Sequence, residues 1–299
     1  RMQGAKPDAT PAAAPEPEPE AGPQPGLAGL KQRLLPWYRT PEYRRWALAG
    51  WILFGLALIG LVVTWFTRDR LSGIDRVADA VLTQPRQTDL AEGTQSIRFV
   101  RDDMHWTLTP RANYEISGLI VSKNDYSFLG LSRKEFFRMD LCTIWGGNAR
   151  NRIFAHPGAE FEQHGTVCYF RYRGGVGFNG SELANNHIIS EDEDLQARFA
   201  SLRAGDQVRI RGQLVDVRVR PKGRAGFHTA NRIDMKTSTT RRDKGMGACE
   251  IIHVDELEVL AAGTPWTRRL HTLCFWILIL LGLVFIGRLV LFPVGLRSR

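Results

Sequence analysis

The sequence predicts a mainly β extramembrane domain that is joined to two transmembrane helices. Residues 46–66 contain no charged side chain, and residues 272–292 form a second apolar run that Arg288 alone interrupts. As a helix the first run would be about 31 Å long, enough to cross the hydrocarbon core of a bilayer. Between the runs, apolar and polar residues alternate in short stretches that Gly residues close, which is typical of β-strands.

The segments outside the two runs are predicted to lie at the membrane surface or in solution. Residues 1–28 are rich in Pro, Ala and Glu, a composition that predicts a disordered tail. Residues 29–45 mix Leu and aromatic residues with cations, as interfacial segments do. A short basic tail, residues 293–299, follows the second run.

The basic residues predict the orientation of the chain. Eight Lys and Arg residues flank the two runs on the side of the termini, against five on the other side. Because basic flanks stay in the cytoplasm, we expect a two-pass protein of the plasma or inner membrane, with cytoplasmic termini and residues 67–270 outside the cytoplasm. The chain carries +9 in total but residues 67–270 only +4. The basic excess therefore favours anionic lipid more than nucleic acid.

Each element between the runs has its own signature. Residues 67–95 form a linker, in which apolar residues at helical spacing predict a short amphipathic helix over 70–83. Alternation then predicts strands over 103–110, 113–125, 140–148, 166–175, 207–219 and 250–260, with a bulge at the phase change at Gly118. Ser190 and Glu193 form a capping box that starts a helix over 190–203, which Gly205 ends. Residues 263–271 form a second linker.

Residues 96–262 thus show the order β-β-β-α-β-β, carried by "YEISGLIVS", the capped helix and "GDQVRIRGQLVDV". This order resembles the OB-fold, a small Greek-key barrel whose bent first strand contributes to both halves. The resemblance is to the fold alone, since no motif of a specific family is present. Another small β-barrel or a β-sandwich remains the alternative.

The cysteines leave several pairings open. Cys142, Cys168 and Cys249 lie in the predicted extracytoplasmic region, where one pair can form a disulfide and leave one thiol free. Strand phase favours Cys142–Cys168 or Cys168–Cys249, and three buried free thiols are the alternative. Cys274 falls in the second apolar run and is expected to be inert.

No metal or cofactor is predicted. His164 with Cys168, and Cys249 with His253, are four residues apart, which is about 13 Å along a strand and too far for one metal ion. Only a turn would bring either pair together, as Gly165 would permit for the first. The chain has no nucleophile elbow, no HExxH and no phosphate-binding loop, so the sequence leans away from an enzyme. A polar stretch before the helix, with Asn185, Asn186 and His187, either lines a pocket or satisfies the backbone of a long loop.

Aromatic and basic residues predict a binding surface. If Cys142 and Cys168 point inward, Trp145, Tyr169, Arg171 and Arg173 share an outer face of the kind that OB-folds use for ligands. A basic cluster would extend it, with Arg218, Arg220, Lys222, Arg224, Arg241 and Arg242. The alternative is a solvated wall in which nearby Asp residues neutralise the Arg residues.

These patterns favour a non-enzymatic, membrane-anchored binding or scaffolding module of the cell envelope. Its partner would be a protein or another acidic surface, and its placement makes nucleic acid an improbable ligand. Two alternatives stay open. One is a nucleic-acid-binding domain that faces the cytoplasm, and the other is an envelope enzyme that uses the Cys and His side chains.

Overall fold

The computed structural model describes residues 40–101, 103–125, 139–175, 177–221, 232–240 and 249–291. These residues form two compact units, one of residues 59–274 and one that combines residues 40–58 with 275–291. The helices are α1 (Pro41–Thr67), α2 (Gly146–Arg150), α3 (Glu193–Ser201) and α4 (Pro265–Leu291). The predicted combination of a mainly β domain with two long apolar helices is confirmed.

Helices α1 and α4 are long and apolar enough to cross a membrane, with mean hydropathies of 2.3 and 2.6 in their spanning windows. Both begin earlier than predicted, because α1 already includes residues 41–45 and α4 starts at Pro265, inside the predicted linker. In the unit that joins 40–58 with 275–291, Trp51 lies edge-on to Phe285 at 6.2 Å between ring centroids. The Arg288 guanidinium lies 5.7 Å from the centroid of the Tyr43 ring.

The predicted amphipathic helix over 70–83 is wrong. The segment contains only two single 3₁₀ turns, Leu71–Gly73 and Asp79–Leu82. Between them the Gln207 side chain accepts from the Ala78 N–H at 2.6 Å and donates to the Arg76 carbonyl at 2.8 Å. Since these bonds replace helical ones, the backbone stays extended, while Ile74 and Val81 are still buried against the β domain.

The strands in the described residues are numbered in chain order. They are β1 (Arg86–Thr88), β2 (Ile97–Arg101), β3 (Met104–Asp125), β4 (Met139–Ile144), β5 (Ala159–His164), β6 (Val167–Tyr172), β7 (Leu183–Ile189), β8 (Gln207–Pro221), β9 (Ile233–Met235) and β10 (Glu250–Ala261). The two strands predicted over 103–125 are one long strand, and β1, β2, β5, β7 and β9 were not predicted.

Five strands of the main sheet pair in a cycle. β3 pairs with β4, β4 with β7, β7 with β10, β10 with β8, and β8 with β3. All of these pairs are antiparallel except β7–β10, which is parallel. β1, β2 and β9 extend the sheet at its margins, and β5 with β6 forms a separate two-stranded hairpin.

The third strand of the cycle is not the predicted one. Residues 166–173 include the whole of β6 in the separate hairpin, and β7, predicted as loop, takes the place between β4 and β10. The predicted bulge at Gly118 lies three residues later. Pairing of β3 with β8 runs through Gly118 without a shift, whereas the register between β3 and β4 shifts between Ile120 and Ser122.

Helix α3 is shorter than predicted and has a different cap. Its N-cap is Asp192, whose carboxylate accepts from the N–H groups of Asp194 and Leu195 at 2.8 and 3.1 Å. Ser190 instead accepts from the Asp192 N–H at 3.2 Å. At the other end Lys123 donates to the carbonyls of Ala200 and Leu202, which no helical N–H can reach. The helix buries Leu195 and Phe199 in the core that the main sheet encloses.

Candidate functional site

The basic strand β8 is neutralised along most of its length. Arg211 donates to Glu115 of β3 at 2.6 Å and to Glu256 of β10 at 2.8 Å, so it bridges two neighbouring strands. Arg209 pairs with Glu258 across the same β8–β10 ladder. These residues therefore belong to an ion-pair network on the surface of the sheet.

Arg218 and Arg220, predicted as binding residues, share a single carboxylate. Asp234 of β9 lies 3.1 Å from Arg218 Nε and 2.5 Å from an Arg220 guanidinium nitrogen. The hydrogen bond from Arg220 and, after it, the one from Arg218 are the main causes that lower the pKa of Asp234. The carboxylate therefore stays ionised. The remaining four members of the predicted basic cluster lie outside the described residues, namely Lys222, Arg224, Arg241 and Arg242.

The prediction that Trp145 faces outward is wrong. Trp145 is fully buried in the main core and its Nε1 donates to Gln84 Oε1 at 3.0 Å. Strand β4 ends at Ile144, and Trp145 stands at the N-cap of α2, so the alternation of the strand no longer sets its direction. A partner therefore cannot stack on this ring.

The β5–β6 hairpin retains the exposed part of the predicted surface. The side chains of Tyr169 and Tyr172 are 46% and 55% exposed. Arg173 is exposed as well, whereas Arg171 forms an ion pair with Glu162 of β5. Under the hairpin, Phe170 stacks on Phe178 with 3.6 Å between ring centroids. The hairpin thus exposes Tyr and Arg on a base of packed Phe rings.

A disulfide joins this hairpin to the main sheet. Cys142 of β4 and Cys168 of β6 are bonded, with 5.8 Å between their Cα atoms, and Cys249 is a free, half-buried thiol. Of the arrangements that the sequence left open, the structure therefore contains the Cys142–Cys168 pair. Cys274 is free and buried in α4.

The three residues of the predicted polar pocket lie on a strand and not in a loop. They belong to β7, between β4 and β10, and all are buried. Asn186 points to one face of the sheet and donates to the Leu141 carbonyl and to Thr143 Oγ1. Since successive side chains of a strand alternate, Asn185 and His187 occupy the opposite face. Asn186 therefore lies on one face of the sheet, and Asn185 and His187 lie on the other.

Asn185 links the hairpin, β7 and the free thiol. Its Oδ1 accepts from Gln163 Nε2 at 2.7 Å, and its Nδ2 donates to the Thr166 carbonyl at 2.6 Å. The same Nδ2 lies 3.7 Å from Cys249 Sγ. The amide thus fixes the hairpin over β7 and places a donor beside the sulfur.

His187 is the most strongly perturbed titratable group of this face. Its Nδ1 lies 2.6 Å from Asp140 Oδ1, and both side chains are almost wholly inaccessible to solvent. Burial by itself would lower the pKa of His187. Hydrogen bonds to Asp140 and Cys249, together with the charges of these two groups, outweigh burial and raise the pKa of His187 to about 9. The imidazole is therefore protonated at neutral pH.

Cys249, His187 and Asp140 together have the composition of a nucleophile, a base and an orienting carboxylate. Sequence reasoning selected Cys249 and His187 separately but missed Asp140, which is 47 residues from His187 in the chain. The usable signal was an Asp at the start of an otherwise apolar strand, "DLCTI". Within the described residues no group of three His, Cys, Asp or Glu side chains is placed to hold a metal ion.

Comparison with protein-family models, with curated proteins and with solved structures finds no match to this chain.

Proposed function

We propose that the protein is a two-pass membrane protein whose β domain lies outside the cytoplasm and binds a protein partner through the β5–β6 hairpin. The observation that carries this proposal is the disulfide between Cys142 and Cys168, which fixes an exposed aromatic and basic hairpin to the main sheet. It supports both the placement of the domain and the position of the binding surface.

The disulfide supports an extracytoplasmic placement. Structural disulfides persist in oxidising compartments and are rare in the reducing cytosol. The excess of basic residues at the terminal flanks of α1 and α4 favours the same orientation. The plasma or inner membrane of a cell with an envelope meets both conditions.

The exposed residues of the hairpin support protein binding. Tyr and Arg are enriched among the residues that dominate binding energies at protein interfaces. A hairpin held by a disulfide loses little conformational entropy when a partner binds. Nucleic acid is the weaker proposal, because the described Arg residues of β8 are already paired with Glu or Asp.

For the domain itself we propose an OB-like barrel. Its support is the pairing cycle β3-β4-β7-β10-β8, with α3 between β7 and β8 in the chain. An OB-fold is a five-stranded, partly open Greek-key barrel of this kind. Here the β5–β6 hairpin lies over the face of β4 and β7, where Gln163 and Cys168 contact Asn185 and Cys142.

A photo-crosslinking amino acid at Tyr169 tests the binding surface in native membranes. We expect a specific adduct with one protein at position 169, and a reduced yield when Arg173→Glu reverses an exposed charge of the same hairpin. Val100 on β2 is the matched control, since its side chain is 51% exposed but lies outside the hairpin. Equal adduct patterns at positions 169 and 100 would contradict a binding surface on the hairpin.

Reporter fusions test the placement separately. Fusions at each terminus should report the cytoplasm, and a fusion within residues 67–270 should report the other side of the membrane. A cytoplasmic signal from the loop would overturn the placement, whatever the crosslinking shows.

A further inference from the structure

Cys249 lies on the same face of the sheet as His187 and Asn185. In the β4–β7 ladder Asp140 pairs with His187 and Cys142 with Asn185, and in the β7–β10 ladder Asn186 pairs with Glu250. Cys249 immediately precedes Glu250, so it adjoins Asn185 at the start of β10. On this face of the sheet, Asp140 and His187 lie side by side on neighbouring strands. Two residues along the strands, Cys142, Asn185 and Cys249 lie side by side in the same way.

Polar side chains surround the sulfur of Cys249. Cys249 is one of the two groups that raise the pKa of His187, the other being Asp140, 2.6 Å from His187 Nδ1, and Asn185 Nδ2 lies 3.7 Å from the sulfur. A cationic imidazole and an amide donor are the neighbours that activate cysteine nucleophiles. Asn124 of β3 lies opposite Asp140, and Gln163 of β5 donates to Asn185. Asn124 and Gln163 are uncharged. Among the residues that the structure describes, the titratable groups that act on His187 are thus Asp140 and Cys249.

We propose that Cys249, His187 and Asp140 form a thiol–disulfide exchange site that reacts with an external disulfide. Cys249 supplies the attacking sulfur, and His187 holds the proton that this sulfur has given up. Asp140 is a positioning residue, because it holds the imidazole through Nδ1 and balances its charge. Asn185 keeps a donor on the sulfur.

The step conserves atoms and electrons. The Cys249 thiolate attacks one sulfur of the external disulfide, the external S–S bond breaks, and a new S–S bond forms to Cys249. The departing sulfur leaves as a thiolate and takes the proton held by His187. One disulfide is present before and after the step, so no separate oxidant or reductant is required.

The Cys142 sulfur is a poor target for Cys249 in this geometry. Cys142 and Cys249 lie on strands separated by β7, which places their Cα atoms about 10 Å apart at two interstrand spacings. A disulfide between them would need a Cα separation below about 7 Å. Cys249 is half-buried and not wholly enclosed, so we take an external disulfide as its substrate.

The test uses the full chain in detergent micelles, with Cys274→Ala so that Cys249 is the remaining free thiol. The probe is oxidised glutathione, and mixed disulfide at Cys249 is followed by mass spectrometry. An unassisted thiol is only a few per cent ionised at pH 7. We therefore expect His187→Gln and Asp140→Asn to slow the reaction at pH 7 by about ten-fold or more. Repeating the series with a cyclic disulfide peptide shows whether protein disulfides react as well as small ones.

The pH profile separates this role from a purely structural one. At about pH 10 cysteine thiols ionise without help, so the rates of the parent and the His187→Gln variant should converge there. His253→Gln is the matched control. His253 also lies on β10, but its Nε2 is 2.8 Å from Glu191 Oε2. This variant should therefore leave the rate unchanged. A parent and a His187→Gln variant with equal rates at pH 7, or with a ratio that does not change with pH, would overturn the proposal.

Discussion

At the scale of single residues, the buried pair of His187 and Asp140 makes the stability of the β domain depend on pH. The pKa of His187 is raised from 6.5 to about 9 in the folded chain, so the folded state binds this proton more tightly than the unfolded state does. The resulting stabilisation is fully present below about pH 6.5 and is lost as the pH rises through about 9.

We therefore expect the parent to lose its advantage over His187→Gln as the pH rises. Between about pH 6.5 and about pH 9, the difference in the free energy of unfolding should shrink by roughly 3 kcal/mol. Denaturant unfolding in micelles at a series of pH values measures this difference. A difference for His187→Gln that stays constant across this range would contradict the raised pKa of His187.

The same residues show where sequence reasoning ends. Asn185, Asn186 and His187 were identified as a polar group, but the sequence predicted a loop, because three polar residues in succession break the alternation of a strand. Their burial is stabilised by Asp140, the Leu141 carbonyl and the hairpin. These partners come from other parts of the chain, and a local pattern does not contain them.

At the scale of elements, strand β8 illustrates how register depends on one small residue. Gly212 lies opposite Val254, at the point where the β8–β10 register shifts by one residue. A Cβ at this position would overlap the carbonyl oxygen of His253. The extra residue of this bulge is on β10, between Val254 and Glu256.

Gly212→Ala should consequently destabilise the main sheet. Forcing the two backbones apart is expected to lower the free energy of unfolding by about 2–3 kcal/mol or more. Gly175→Ala is the matched control, because a Cβ there meets no atom within 4 Å, and its effect should stay within about 0.5 kcal/mol. Denaturant titration of both variants compares them, and equal midpoints would show that β10 moves away from β8 without cost.

Existence of the elements was easier to predict than their pairing. Strands β8 and β10 begin and end within two residues of their predicted bounds, since both alternate and are limited by turns or by a preceding helix. Residues 166–173 alternate equally well, yet most of them form β6, outside the main sheet. Alternation predicts that a segment is extended, but the neighbour it pairs with depends on the whole fold.

At the scale of the whole molecule, the charge pattern of the sequence overstated the free basic surface. All four Arg residues of β8 have carboxylate partners on β3, β9 or β10. Each of these carboxylates is at least 14 residues from its partner in the chain. Composition gives the net charge of the domain, whereas the topology decides which charges remain available to a partner.

The Cys142–Cys168 disulfide cross-links the separate hairpin to the main sheet. Its removal should lower the stability of the whole domain and loosen the hairpin. The bond closes a loop with a sequence separation of 26 residues, so the double variant Cys142→Ala/Cys168→Ala should lose about 3 kcal/mol of stability. Its far-UV circular dichroism should remain close to that of the parent, because the five-strand cycle does not include β5 or β6. Limited trypsin digestion should cut faster after Arg171 and Arg173, while Arg209 within the main sheet stays protected. Cys249→Ala/Cys274→Ala retains the disulfide and should digest like the parent. Equal cleavage of the hairpin with and without the disulfide would show that the bonds of Asn185 to Gln163 and Thr166 are sufficient to hold it.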